Sequence, residues 1–367
     1  MGQLGLLVNT VTIAGMIFGE WLARGNSFYS GHDPEMVGSV WRNTLGYSLI
    51  LLSALVAGAY FLPALLGETL PTPHLLLMAV MVAAVVAQRG FSGILQGRDR
   101  LTAFAVIPLV FIGTYFSLNT LGLLEEGVAG VLVAWLVGAA VATLVAAGLS
   151  YTAGGVSRTL LQATATLGSR GALSATLIFL LFRSDVFLVE HFLGTEILGV
   201  YVVAVVIAEM MQRGPNIAGA VLLPKVLRGI DDGHVMSLAV SRWVLAFSLF
   251  SALGVIAVGA PLIAWIYGAQ FAGAHSPLVW MLPGLIASGF GSVLNTKLAG
   301  QGYPPVTMWG PGAALMTNIG LNLVLIPRYG LTGAALSTSV AYCLWAVIVV
   351  VAYQRMTGLA WRQFVRA

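Results

Sequence analysis

Apolar residues come in runs of twenty or more along this chain, separated by short polar breaks. They lack the two-residue alternation that a membrane β-barrel requires. A helical membrane span needs roughly 20 mainly apolar residues. Eleven stretches meet that length, at about 3–22, 44–66, 74–95, 101–121, 127–149, 168–190, 197–223, 240–266, 276–299, 305–326 and 333–354. The first is the least apolar, being interrupted by Gln3, Asn9, Glu20 and Arg24. It lacks a basic start followed by a short apolar core and a small-residue cleavage site, so it reads as a span and not as a signal segment. The pattern predicts an all-α, polytopic integral membrane protein.

Composition agrees: 59% of the 367 residues are hydrophobic and 8% charged, with a mean hydropathy of +0.94. An ordinary soluble surface is excluded. Arg24, Arg42, Arg98, Arg100, Arg158, Arg170, Lys225, Arg228, Arg242, Arg355, Arg362 and Arg366 fall in or beside alternate loops on one side, while the opposite loops hold only Arg328. By the positive-inside rule the basic side, with the C-terminus, is cytoplasmic. Glu68, Glu125, Glu126, Glu190 and Glu196 mark the outer loops. The formal charge of +4 therefore reflects topology, and the dispersed cations form no nucleic-acid face.

The chain also repeats itself. Glu20-x-x-x-Arg24-Gly25 recurs 189 residues later as Glu209-x-x-x-Arg213-Gly214. A shift of 203 aligns Leu95, Gly97, Pro108, Thr114, Leu118, Asn119, Gly127 and Gly130 with Leu298, Gly300, Pro311, Thr317, Leu321, Asn322, Gly330 and Gly333. Matched helices lie six spans apart and run in the same direction, which predicts two parallel-repeat bundles. The expected division is a five-span lobe over 1–150, a polar, Gly-rich cytoplasmic linker over 151–167, and a six-span lobe over 168–367. Nothing in the first lobe corresponds to the span at 168–190. The expectation is that the first helix of a twelve-span ancestor is missing and that the amino terminus, as written, lies outside.

Two strings carry a resemblance. Asn318-Ile-Gly-Leu-Asn322-Leu-Val-Leu-Ile-Pro327-Arg-Tyr-Gly330-Leu-Thr-Gly333 resembles the late-helix signature of polysaccharide biosynthesis exporters in the multidrug/oligosaccharidyl-lipid/polysaccharide superfamily. Phe182-Arg183-Ser-Asp185 followed by Gly199-Val-Tyr201 resembles the start of their second lobe. The resemblance implies a MATE-like pair of helix bundles around a cavity in a bacterial or archaeal cytoplasmic membrane. It implies flipping of undecaprenyl-diphosphate-linked oligosaccharide units, such as O-antigen or capsule units, to the outer leaflet. Membrane lipids, a polysaccharide polymerase and glycosyltransferases are the expected partners.

Such a flippase needs cations and hydrogen-bonding groups to receive an anionic, hydrated head, and the planar fork of Arg suits phosphate. Arg183, inside the apolar run from Ala175, is the first candidate for a substrate contact; the alternative is a pair with Asp185 or an outer headgroup. Asp185 lies about 200° further around the helix, so it is expected to meet another helix or gate the outer end. Glu20 with Arg24 and Glu209 with Arg213 read first as intrahelical pairs near the cytoplasmic ends. The alternative is an inner gate whose pairs exchange partners. Gly214-Pro215-Asn216 beside the second pair allows a bend. Gln88, Arg89 and Lys297 are further cavity candidates. Trp21, Trp41, Tyr47, Trp135, Trp243, Trp265, Trp280, Trp309 and Tyr342 are interfacial anchors or packing residues, with sugar stacking as the alternative.

Catalysis finds little support: His-Glu-x-x-His, Gly-x-Ser-x-Gly and Walker patterns are absent. Asp231-Asp232-Gly233-His234 reads as a solvated turn, with too few ligands for a metal. Cys343, the sole cysteine, is assigned to packing. No cofactor is implied, and a proton and sodium stand equally as the coupling ion. A multidrug antiporter of the same superfamily is the first alternative. A membrane-embedded sugar or acyl transferase is disfavoured, because no loop is long enough for a catalytic domain.

Overall fold

The computed structural model describes residues 2–66, 72–121, 128–230 and 234–358. Glu68, Glu125, Glu126, Gly127, Asp231, Asp232, Gly233, Arg362 and Arg366 lie outside the described residues. The described chain is helical, in the order α1 (Gly2–His32), α2 (Val37–Leu66), α3 (Thr72–Gly97), α4 (Leu101–Thr120), α5 (Val128–Ser150), α6 (Arg158–Leu227), α7 (Val235–Tyr267), α8 (His275–Gly300) and α9 (Val306–Thr357). Short 3-10 segments, Pro34–Met36 and Ala269–Ala274, precede α2 and α8.

Two helices are too long for one crossing. At 1.5 Å per residue, the 70 residues of α6 would run about 105 Å if straight, over three times a hydrocarbon core. Instead α6 turns at Gly194 (φ 82°) and α9 turns at Gly330 (φ 58°). Positive φ costs a side chain-bearing residue roughly 1–2 kcal/mol, so glycine makes both turns. With each bent helix counted as two arms, the described residues form eleven helical arms. Among the described residues eight helices, α6 and α9 included, are long and apolar enough to cross a membrane. The protein is a multi-pass membrane protein.

The chain divides into two compact units, Met1–Ala172 and Leu173–Ala367, the boundary falling inside α6. In the first unit α1 packs along α3, and α3 also meets α2 and α5. The α1–α3 approach is close enough that a Cβ at Gly93 would collide with the backbone of Ala23. In the second unit α8 packs against α7 and α9, and Tyr201, Trp345 and Tyr353 are enclosed in the core.

Two boundaries differ from those expected. The first span was placed at 3–22, yet α1 continues to His32, with Asn26, Ser27 and Ser30 buried in the first unit. Asn26 is 1% exposed; its Nδ2 donates to Thr44 Oγ1 at 2.7 Å and to Gly90 O at 3.0 Å. Hydropathy counts such residues as breaks, whereas their partners make them interior. The expected linker 151–167 is helical from Arg158 onward. Its non-helical part is tied to the first unit: Asn43 Nδ2 donates to Ser157 O (2.8 Å), Ser157 N donates back to Asn43 Oδ1 (3.1 Å), and Arg98 Nη1 donates to Thr152 Oγ1 (3.0 Å). Its helical part rests on α1, where Thr164 lies against Gly25.

Candidate functional site

The repeated Glu-x-x-x-Arg-Gly strings take different partners in the two units. In the first, Glu20 Oε1 lies 2.8 Å from Arg24 Nη2, the i, i+4 pair that the spacing predicts. Glu20 Oε2 is held at 2.7 Å by Arg89 Nη1 from α3. The carboxylate is 12% exposed between two guanidiniums, leaving one net positive charge. Glu20 sits twelve residues before the end of α1, so the cluster is not at a helix end as expected.

In the second unit the corresponding intrahelical pair is not formed. Glu209 Oε1 instead meets Arg183 Nη2 at 2.7 Å, across the hairpin made by the Gly194 turn. Both side chains remain open, at 44% for Arg183 and 37% for Glu209. The expectation that Glu209 and Arg213 pair near the cytoplasmic end, with Arg183 further out, is therefore corrected. Spacing records which residues share a helix face, while the hairpin supplies a partner from the other arm. Arg213 is exposed and forms no ion pair among the described residues.

Arg183, Asp185, Glu209, Arg213 and Asn216 all line one cavity of about 460 Å³ inside the second unit. Phe179, Phe182 and Tyr342 supply aromatic wall, and Tyr342 packs edge-on to Phe182 with centroids 4.9 Å apart. Asp185 is 2% exposed. Its Oδ2 accepts from Tyr201 Oη at 2.6 Å and Thr338 Oγ1 at 3.0 Å, while Oδ1 accepts from Val186 N at 2.9 Å. Asn318 extends the network: its Nδ2 donates to Thr338 Oγ1 (3.4 Å), and its Oδ1 accepts from Ser184 Oγ (3.0 Å) and Asn322 Nδ2 (2.9 Å). Both cavity carboxylates are thus engaged, one by hydrogen bonds and one by Arg183.

Gln88, Arg89 and Lys297 do not line this cavity. Arg89 belongs to the Glu20 cluster, and Lys297 is 4% exposed within α8. The sequence reading missed Gln212, whose Nε2 donates to Ser288 Oγ at 2.7 Å and to Leu285 O at 3.2 Å beside the cavity. Its signal was a lone amide after the apolar run from Val202.

A family model described as polysaccharide biosynthesis protein matches residues 31–276, two thirds of the chain. The chain belongs to the polysaccharide biosynthesis protein family. The matched stretch holds Arg183, Asp185, Glu209 and Arg213, whereas the Asn318–Gly333 string lies beyond it. Among curated protein sequences none matches the chain.

Solved structures establish the family member's fold. An outward-facing multidrug resistance MATE transporter of the MOP superfamily superposes with a TM-score of 0.80 at 16% identity, over 97% of this chain and 87% of that one. A Vibrio cholerae MATE transporter gives 0.75 at 16%, over 97% and 87%. A Pyrococcus furiosus MOP superfamily transporter, described as having a binding pocket of reversed polarity, gives 0.70 at 16%, over 95% and 86%. The MATE-like fold implied by the family resemblance is the fold observed.

Proposed function

We propose that this protein is a membrane transporter that flips undecaprenyl-diphosphate-linked oligosaccharide units across the cytoplasmic membrane by alternating access, with its basic side and C-terminus in the cytoplasm. The supporting observation is the second-unit cavity in a polysaccharide biosynthesis family member: Arg213 is open on it, Arg183 is held by only one carboxylate, and Gln212, Asn216 and three aromatic rings complete the wall. Arg213 receives a phosphate oxygen through its planar fork. Arg183 joins it by exchanging Glu209 for substrate, while the rings offer faces to sugars. A volume of about 460 Å³ lies within the range of roughly 300–1,000 Å³ usual for ligand sites, enough for a diphosphate and its first sugar.

The multidrug reading draws on the likeness to MATE structures. It needs a carboxylate available to an organic cation, and here both cavity carboxylates are occupied. The discriminating experiment reconstitutes purified protein into vesicles and follows undecaprenyl-diphosphate-linked oligosaccharide reaching the outer leaflet. Arg213→Ala should reduce flux at least about tenfold with the folded protein retained. Unchanged flux in Arg213→Ala, or transport of amphipathic cations with no lipid-linked sugar movement, would overturn the proposal.

A further inference from the structure

Arg242 stands apart from the cavity. It is the eighth residue of α7 and lines a separate groove of about 330 Å³ with Ala239, Trp243 and Ala246. Among the described residues its Nε and Nη2, which have almost no solvent access, find no hydrogen-bond partner, and it forms no ion pair. A guanidinium stays protonated and carries five N–H donors. Enclosed donors without acceptors cost free energy, and an unpaired charge inside a membrane protein marks a functional position.

The surroundings specify what could supply the acceptor. Trp243, Phe247 and Phe250 follow at i, i+4 and i+7 on one helix face and are 77%, 46% and 78% exposed. That stripe is a surface for hydrocarbon. Arg242 lies about 10 Å along the axis from Val235 and beside Trp243, a residue type enriched at the level of the headgroups. An anion there must carry acyl chains to cover the stripe. The first unit uses a similar dipeptide differently: Arg42 rests over its neighbour Trp41 at 5.8 Å, and Trp41 Nε1 donates inward to Ala147 O.

We propose that Arg242, Trp243 and the groove between Ala239 and Ala246 bind the phosphate of a membrane phospholipid, whose chains lie along Phe247 and Phe250. The phosphate pairs with the charge of the guanidinium that lines the groove. This site is independent of what the second-unit cavity carries.

The test uses delipidated full-length protein in detergent and counts bound phosphatidylglycerol by native mass spectrometry. Wild type should bind it, and diacylglycerol with the same chains should bind at least about tenfold more weakly. Arg242→Gln should lose about tenfold in affinity, with Arg242→Lys in between. Ala246→Glu, an exposed position one turn along, places a carboxylate beside Arg242 and should also abolish binding, which keeps the test valid if Arg242→Gln fails to fold. Equal phosphatidylglycerol binding by wild type, Arg242→Gln and Ala246→Glu would overturn the proposal. Displacement by millimolar inorganic phosphate would do so too, since it would indicate a free-ion site. Displacement by undecaprenyl diphosphate would reassign the groove to substrate.

Discussion

The same six-residue pattern is closed in one unit and open in the other. Around Glu20, two guanidiniums converge on a carboxylate that is 12% exposed, and Arg24 and Arg89 each take one oxygen. Around Glu209, the one charged partner comes from across a hairpin, and Arg213 is left facing a cavity. The difference arises outside the pattern: α3 supplies Arg89 to the first unit, and the first arm of α6 supplies Arg183 to the second. A repeat therefore preserves the positions of charges without preserving their pairing. We propose that the Glu20 cluster serves stability and the Glu209 cluster ligand handling.

The sharpest way to break this comparison is to remove each carboxylate. Glu20→Ala leaves two neighbouring cations, 37% and 33% exposed, without the carboxylate they share and should cost about 1–3 kcal/mol, read as a drop in Tm of the purified protein. Glu209→Ala frees two cations that already face a cavity and should cost about 1 kcal/mol or less. Equal losses would mean that the two clusters play the same part. The matched arginines sharpen the same point. Arg213→Ala should lower flux with little change in Tm, whereas Arg24→Ala should lower Tm; the reverse result would exchange the assignments.

Within the second unit, Tyr201→Phe removes the 2.6 Å hydrogen bond to Asp185. It should destabilise by about 1–3 kcal/mol, measured by denaturation in detergent. The least disruptive comparison uses glycines of the first unit. Gly93→Ala should separate α1 from α3 and cost about 1–3 kcal/mol, because its Cβ meets the Ala23 backbone. Gly113→Ala on α4, with nothing within 4 Å, should stabilise by about 1 kcal/mol or less.

The long-range order of this molecule was legible because hydropathy and span length act on whole helices. The long apolar helices follow from those signals, whereas the two-fold sequence repeat was read from matched residues such as Glu20 and Glu209. Gly330 was legible as a matched glycine, and its positive φ explains why glycine stands there. Partner choice was not legible. The i, i+4 rule favours Glu209 with Arg213 as strongly as Glu20 with Arg24, and only the turn at Gly194 brings Arg183 into reach. Asn119 and Asn322 align in sequence, yet Asn322 is buried beside Asn318 while Asn119 is exposed and bonds to Tyr115 of its own helix. Alignment transfers a residue type and leaves its surroundings to tertiary packing. The buried polar end of α1 was hidden for the same reason.

The turn at Gly194 also bears on how the chain is made. Arg183 lies eleven residues before that glycine and Glu209 fifteen after it, on opposite arms of one hairpin. A lone Arg entering the bilayer centre costs about 2.5–3.5 kcal/mol during insertion. Its counter-charge emerges from the ribosome a few seconds later, at about 5–20 residues per second. The two arms thus form a natural unit of membrane insertion, carrying their own neutralisation. An insertion assay on the first arm alone should give poor integration, restored when the second arm follows and lost again with Glu209→Lys.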